Sequence, residues 1–347
     1  KYADRTVFYC PLDFTWAVAA AMRRLRPDLL VLAELELWPN LIAAAKRRGA
    51  AVAIINGRLS DKSFRRYLRA RRFIGPALRN IDLIAAQNEE TAERFRRLGA
   101  RPDRVHATGC LKFDGAQTDR SNPRTTELRR LAGITDAEVV LLAGSTQDPE
   151  EAFVLDVFQR LAPRHPNLRL ILVPRHPQRF DEVAALLDRR GVSWQRRSAL
   201  AADAPESRGS ASRRSVLLVD TIGELSAWWG AAHIGFVGGT FGSRGGQNML
   251  EPAAYGVATC FGPNTWNFRD IVAQLVAADG ARVVRDAAEL ETFVRRSLAE
   301  PQWAGQLGAR ARRLVVSQQG GTRRTVQLLC ELYRRSDRDA ADADRAA

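Results

Sequence analysis

Cysteine is scarce and scattered in this chain: Cys10, Cys110, Cys260 and Cys330 stand far apart and no two form a Cys-x-x-Cys pair. That spacing argues against a disulfide framework and a zinc site, and points to a reducing compartment. Long apolar runs are missing too. No stretch of about 18 apolar residues occurs, so nothing within these residues is expected to span a membrane. There is no zinc-finger spacing, RNP-like run or helix-turn-helix pattern, and nucleic acid is not an expected partner. Asp-x-Asp pairs are confined to the end of the chain, at Asp337 and Asp342. A metal bridging a diphosphate is therefore not indicated, and neither a metal site nor a cofactor is expected.

What the chain has in excess is positive charge, formally +14 over 347 residues. Anionic partners are the expectation. The sharpest concentration runs from Lys62 to Arg79, KSFRRYLRARRFIGPALR, with seven basic residues, no acid, and Phe64, Tyr67, Leu68, Phe73 and Ile74 between them. The pattern predicts an amphipathic helix facing an anionic membrane surface. It equally fits a solvated arginine-rich helix packed on its own domain.

With 46% hydrophobic residues the chain can bury two ordinary cores. In the first half, apolar runs at residues 29–35, 51–56, 81–87 and 104–109 read as strands. Helical patterns at 39–49 and 89–99 lie between them. The second half repeats the style, with strands at 138–145, 168–176, 216–220, 234–239 and 257–262. Strands alternating with helices imply an α/β fold with parallel sheets, ligand loops at the carboxyl ends of strands and a cleft between the halves. The expected division is 1–114, a linker at 115–137, a second domain at 138–320, a helix at 321–336 and a disordered tail at 337–347. Residues 199–215 read as a mobile surface loop.

The most informative stretch is residues 234–268, IGFVGGTFGSRGGQNMLEPAAYGVATCFGPNTWNF. A buried strand runs into glycines at 238, 239, 242, 245 and 246, then into a short helix opened by Asn248 and closed by Gly256. Glycines let backbone approach a phosphate, a helix start offers free N–H groups, and Glu251 could accept ribose hydroxyls. This outlines a nucleotide site in which Gly245 and Gly246 are candidate contacts. Asn248 and Glu251 are also spaced as an N-cap and its reciprocal partner, which needs no ligand.

Other strand ends carry residues that a scaffold would not choose. Glu34 and Glu36 lie two apart at the end of an apolar strand, which places both on one face, beside Trp38 and Asn40. Two carboxylates there are costly in a core and are expected to face the cleft. Lys112 ends the fourth strand in the same layer; a Glu–Lys ion pair is the plainer reading. In the second half Ser145, Thr146, Pro174, Arg175, His176, Ile222, Gly223 and Glu224 all follow strands and could converge on one ligand. Arginine there can hold a phosphate or carboxylate with a geometry that lysine lacks.

Together these segments resemble the 3-deoxy-D-manno-octulosonic acid (Kdo) transferases of lipopolysaccharide and lipid A synthesis. The matching runs are AELELWPNLI, INGRLSDKS, AQNEETAERFRRLGA, TGCLKFD, LVPRHPQRFDEV, DTIGEL and VGGTFGSRGGQNMLEPAAYG, in the family's order and covering most of residues 1–330. The resemblance implies a GT-B fold of two Rossmann-like domains with parallel sheets facing a cleft, the first incomplete at its amino end. It implies an inverting, metal-independent glycosyltransferase that moves Kdo from CMP-Kdo to lipid IVA at the cytoplasmic face of the inner membrane. By the same resemblance Pro174, Arg175, Ile222, Gly223, Glu224, Asn248, Met249, Leu250 and Glu251 would bind CMP. Glu34 and Lys112 would stabilise the transition state. Apart from the resemblance, Glu36, Asn40, Arg58, Ser145, Thr146, His176, Gly245 and Gly246 are candidate donor or acceptor contacts.

The chain departs from the family in three respects. The motif supplying the general base, and any membrane anchor, belong to an amino-terminal segment that these residues do not contain. The chain is accordingly expected to be a fragment inactive by itself. Gln147 and Gln247 stand where the family usually has histidine, keeping hydrogen bonds without titration near neutrality. Two other readings stay open: another GT-B enzyme using a UDP-sugar, and a catalytically dead nucleotide- or lipid-binding relative.

Overall fold

The structure is a computed structural model that describes residues 4–200 and 215–346, with the backbone alone for 336–346. The expected loop at 199–215 lies almost wholly outside the described residues. The chain divides into two units, Lys1–Gly115 with Gln318–Ala347, and Ala116–Ser317. No described helix is long and apolar enough to cross a membrane.

The first unit holds β1 (Leu29–Ala33), β2 (Ala51–Gly57), β3 (Leu83–Ala86) and β4 (Val105–Ala107), paired in that order and parallel throughout. Its helices are α1 (Thr15–Leu25), α2 (Pro39–Lys46), α3 (Asp61–Arg69), α4 (Arg71–Arg79) and α5 (Glu89–Leu98). Period-two alternation in β2 splits its side chains between two cores. Val52 and Ile54 pack with Ile42, Leu78, Ile84, Phe95 and Leu98. Ala51 and Ala53, small enough to admit a helix backbone, pack with Leu328, Leu329 and Leu332. Those leucines belong to the last helix of the chain, running from Gly321 to Ala346, so it closes the first unit and continues through the stretch expected as a disordered tail. Asp114 caps its start, accepting from the amides of Gly320 and Thr322.

The basic run expected as one amphipathic helix is two. The break falls at Ala70 (φ −96°, ψ 16°), and Pro76, which cannot donate to the carbonyl one turn back, lies inside α4. The break lets α3 bury Phe64 while α4 buries Gly75, Ala77 and Leu78.

The second unit begins with α6 (Pro123–Leu131), inside the stretch expected as linker. Arg120 donates to the carbonyls of Tyr255 (2.9 Å) and Gly230 (3.4 Å), and Thr125 Oγ1 to that of Ala227 (2.9 Å). These residues are thus part of the fold. The strands are β5 (Val139–Thr146), β6 (Leu168–Pro174), β7 (Trp194–Arg196), β8 (Val216–Leu218), β9 (Ile234–Val237), β10 (Ala258–Phe261) and β11 (Ala281–Val283). They form one parallel sheet in the order β11-β10-β9-β5-β6-β8-β7. The helices after α6 are α7 (Glu150–Leu161), α8 (Phe180–Arg189), α9 (Leu225–Ala231), α10 (Leu250–Ala254), α11 (Arg269–Ala277), α12 (Ala287–Ala299) and α13 (Pro301–Gln318); α14 is the Gly321–Ala346 helix. After β8 the chain crosses back to lay β9 beside β5. The carboxyl ends of β5, β6 and β9 therefore bound a topological switch point, where open α/β sheets bind ligands.

Candidate functional site

At that switch point the second unit has a cavity of about 310 Å³, lined by Gly144, Ser145, Arg175, Gly223, Leu225, Ser226, Trp229, Val237, Gln247, Asn248 and Glu251. Its walls are strand ends and the turns that follow them, with Leu225, Ser226 and Trp229 from α9 and Glu251 from α10. Ser145, past the middle of the β5 ladder, sits in the left-handed region (φ 55°), as does Gly223 (φ 88°) in the turn before α9. A non-glycine residue held there is strained, and such strain gathers at functional sites.

Two polar pairs organise the cavity wall. Arg175, exposed after β6, donates through Nε to Gln247 Oε1 (3.1 Å), and its own amide bonds to Thr146 O (2.9 Å). Asn248 accepts from the amide of Leu250 (3.1 Å) and donates to Glu251 Oε1 (3.0 Å). The reciprocal cap expected from their spacing is not formed: the helix starts at Leu250 with Met249 at its cap position and no side-chain cap bond, and the two side chains bond each other instead. Glu251 still faces the cavity, and burial pushes its carboxyl above the usual range against the opposing effect of the Asn248 hydrogen bond. The helix expected to supply a dipole is α10, only five residues long, so it contributes little field. Met249 and Leu250 are buried packing residues, as are Pro174 and Thr146.

Trp229 is a lining residue that the sequence expectations do not include. Its ring lines the cavity against Gly144 and Gly235. The tandem Trp228-Trp229, both about fully buried, was the available signal.

Glu224 is 8% exposed and lies outside the cavity lining. Its carboxylate accepts from Arg124 Nη2 (2.5 Å), Arg197 Nε and Nη2 (both 3.0 Å) and Thr221 Oγ1 (2.7 Å). Burial alone would raise its pKa, but Thr221, Arg197 and Arg124 outweigh it and hold the carboxyl below its ordinary value. Glu224 therefore fixes the turn that presents Gly223, while Ile222 is 80% exposed. His176 is exposed in the turn after β6 and lies outside the lining.

The glycines after β9 have structural reasons. A Cβ on Gly245 would lie 2.3 Å from Trp266 Nε1, and one on Gly246 would lie 2.9 Å from Met249 Cε. The amides of Gly239, Thr240 and Phe241 do surround an anion, but it is the chain's own Glu150 carboxylate.

In the first unit, Glu34, Arg58 and Lys112 meet at the carboxyl ends of β1, β2 and β4. Glu34 Oε2 lies 3.3 Å from Arg58 Nε, and Oε1 lies 3.9 Å from Lys112 Nζ. The plainer reading, an ion pair across strand ends, is present and includes Arg58. The placement of the two carboxylates on one strand face does not hold. β1 ends at Ala33 and Glu34 turns out of it with φ 58°. Glu36 accepts from Trp38 Nε1 (2.8 Å). Asn40 is engaged by Asp13, donating from its amide to Oδ2 (3.0 Å) and from Nδ2 to the carbonyl (2.6 Å). Asn56, also at positive φ (50°), ties the layer together: its Oδ1 accepts from Gln87 Nε2 (3.0 Å) and from the amide of Leu111 (3.2 Å), next to Lys112.

Residues 1–115 match the family model for 3-deoxy-D-manno-octulosonic-acid transferase (kdotransferase). A 3-deoxy-D-manno-octulosonic acid transferase from Bordetella pertussis is 35% identical over 327 residues, 92% of this chain and 73% of that protein. Among solved structures, the C-terminal CMP-Kdo binding domain of WaaA from Acinetobacter baumannii matches with a TM-score of 0.50 and 30% identity, covering 56% of this chain and 96% of that one. A UDP-N-acetylglucosamine 2-epimerase shares the fold alone (TM-score 0.53, 12% identity, 87% of this chain and 74% of that one). The parallel sheets, their order and these likenesses make the fold an α/β one of the GT-B type, and the chain belongs to the 3-deoxy-D-manno-octulosonic acid (Kdo) transferase family.

Proposed function

We propose that this chain serves the transfer of Kdo from CMP-Kdo to a lipid A precursor, lipid IVA, with the second unit holding CMP and the first supplying Glu34 and Lys112. The observation that carries the reading is the switch-point cavity, where Arg175 and Glu251 stand in a chain similar to a CMP-Kdo binding domain. A guanidinium suits a single phosphate, and a carboxylate suits the two hydroxyls of a ribose. Arg175, in place of a divalent cation, counters charge on the departing CMP. As its proton passes to a general base, an acceptor hydroxyl attacks the anomeric carbon from the face opposite CMP, whose bond to that carbon breaks, and the centre inverts. Lys112 and Arg58 hold the Glu34 carboxylate in place, so that charge developing in the transition state meets a fixed electrostatic environment.

The acceptor is a lipid, and the basic surface of α3 and α4 supports a station on anionic membrane at the cytoplasmic face of the inner membrane. Arg69 lines two depressions there, one of about 480 Å³ with Leu68, Arg71, Arg72 and Arg79, the other of about 640 Å³ with Lys62, Arg65 and Arg66. Phe73, 84% exposed, stands among these arginines in sequence.

The test is calorimetric titration with CMP, UMP and UDP, with Glu251→Ala as control. Selective CMP binding that the variant loses supports the reading. A preference for UDP, or indifference to Glu251, overturns it.

A further inference from the structure

We propose that Glu150 is a resident anion of the glycine loop, a positioning residue whose carboxylate fills a ring of backbone amides and so holds residues 237–247 in the shape that walls the nucleotide cavity. The inference rests on the reading of that cavity as the nucleotide site.

Glu150 opens α7 and is 1% exposed. Its Oε2 accepts from the amides of Gly239 (2.7 Å) and Gln147 (3.0 Å), and its Oε1 from those of Thr240 (2.8 Å) and Phe241 (3.1 Å). Among the described residues no side-chain cation pairs with it. A buried carboxylate without a counter-ion is tolerated only when several donors replace its lost hydration, and four amides do so here. The approach requires Gly238: a Cβ there would lie 2.6 Å from Ser145 O and Thr146 Cα and 2.8 Å from Glu150 Oε2. The carboxylate thus joins the end of β5, the start of α7 and the loop after β9. Ser145, Val237 and Gln247, which line the cavity, lie in these same segments. With the amides of Gly239, Thr240 and Phe241 filled, the loop does not offer these three to a nucleotide phosphate. Phosphate recognition therefore falls to side chains, Arg175 first.

Two substitutions separate this role from packing. Glu150→Gln keeps the shape but turns an NH2 group towards two amide donors, and Glu150→Ala empties the ring. Both should weaken CMP binding by about tenfold or more. Both should also speed hydrogen exchange at the amides of Gly239, Thr240 and Phe241. Added formate should restore CMP binding and slow exchange in Glu150→Ala, not in Glu150→Gln, whose side chain blocks the ring. Val157→Ala, in the buried face of the same helix, is the packing control and should lose stability with CMP affinity unchanged. If Glu150→Ala does not fold, Glu150→Asp, which withdraws the charge by one methylene, should give the same exchange signature in weaker form. Wild-type affinity in Glu150→Ala, unchanged exchange at the three amides, or no rescue by formate would each overturn the proposal. If the wild type itself does not bind CMP, the nucleotide reading fails while the exchange measurement still decides the role of Glu150.

Discussion

Cζ2 of Trp229 occupies the place a Cβ on Gly144 would need: the two atoms would be 2.4 Å apart. Gly235, on the neighbouring strand β9, leaves the other half of the slot, with Trp229 Cζ3 at 2.9 Å from its would-be Cβ. Two glycines on paired strands thus admit an indole that lines the switch-point cavity. Gly144→Ala forces the ring or the sheet to move, and overpacking of this kind costs about 1–3 kcal/mol. Urea unfolding should show that loss and calorimetry a weaker CMP affinity. Gly242→Ala, whose Cβ would meet nothing within 4 Å, should stay within about 0.5 kcal/mol of wild type.

Glu251 sets stability against binding. Burial raises its folded pKa above the ordinary carboxyl value. For a raised acid the folded state binds the proton more readily than the unfolded one, so its contribution is fully present at low pH and is lost as pH rises through the folded value. Glu251→Gln should therefore unfold at a higher temperature than wild type at neutral pH, with the gap closing towards pH 4. Its CMP affinity should fall by about tenfold, because the amide offers the ribose one acceptor oxygen instead of two. Wild-type affinity should decline on acidification, beginning nearer neutrality than an ordinary carboxylate would.

His233 gives a second, opposite pH dependence. Desolvation and the positive charges of Arg120 and Arg129 lower its pKa to about 4, and its Nδ1 accepts from the amide of Val140 (3.0 Å). The unfolded chain binds its proton near the ordinary value of 6.5, so between that pH and about 4 the unfolded state carries the extra proton and stability falls with acid. The residue as a whole keeps more than a third of its surface in water, which reduces the effect to roughly 1 kcal/mol. Urea midpoints from pH 7 to 4 should show this slope in wild type. His233→Asn, which retains an acceptor for Val140 and cannot titrate, should flatten it.

Much of the fold is legible because its central strands are apolar runs bounded by helices: the run 51–56 predicts the strand Ala51–Gly57, and 168–176 predicts Leu168–Pro174. The two strands not foreseen, Trp194–Arg196 and Ala281–Val283, are three residues long and lie at the sheet's two edges, where half-exposed positions leave no apolar pattern. The last helix joins the first unit through Ala51 and Ala53, a contact with no local signature. The same holds at the site. The glycines marked a place of close backbone approach, yet the partner is Glu150, some 89 positions away in sequence, and not an external phosphate. Glu224 follows a strand, which suggests a ligand contact; only the fold brings Arg124 and Arg197 to its carboxylate.

The Glu34 cluster should affect turnover and leave donor binding alone. Lys112 and Glu34 are 47% and 40% exposed, so their ion pair contributes at most about 1 kcal/mol to stability and variants should fold. Lys112→Met and Glu34→Gln should bind CMP like wild type. In an enzyme competent for transfer, each should lower Kdo transfer by about a hundredfold, a typical loss for one group aimed at developing charge. Titration and a transfer assay on the same preparations separate the two effects. A variant with full transfer would remove its residue from the chemistry.

The basic surface of α3 and α4 gives a prediction that salt can test. Among the described residues no carboxylate lies within ion-pairing distance of Arg69, Arg71, Arg72 or Arg79, so all four are open to an external anion. Near an anionic bilayer each such residue contributes about 1 kcal/mol, within the roughly 10 Å over which salt leaves the field unscreened at 0.1 M. Sedimentation with vesicles containing phosphatidylglycerol should therefore be strong at low salt and weaken as salt rises, with little binding to neutral phosphatidylcholine. Arg69→Glu with Arg71→Glu and Arg72→Glu should abolish it and leave CMP titration unchanged. Phe73→Ser should weaken it with the salt dependence retained, because an exposed ring adds apolar contact without charge. Binding to both vesicle types alike, or binding unaffected by the charge reversals, would show that this surface does not read anionic lipid.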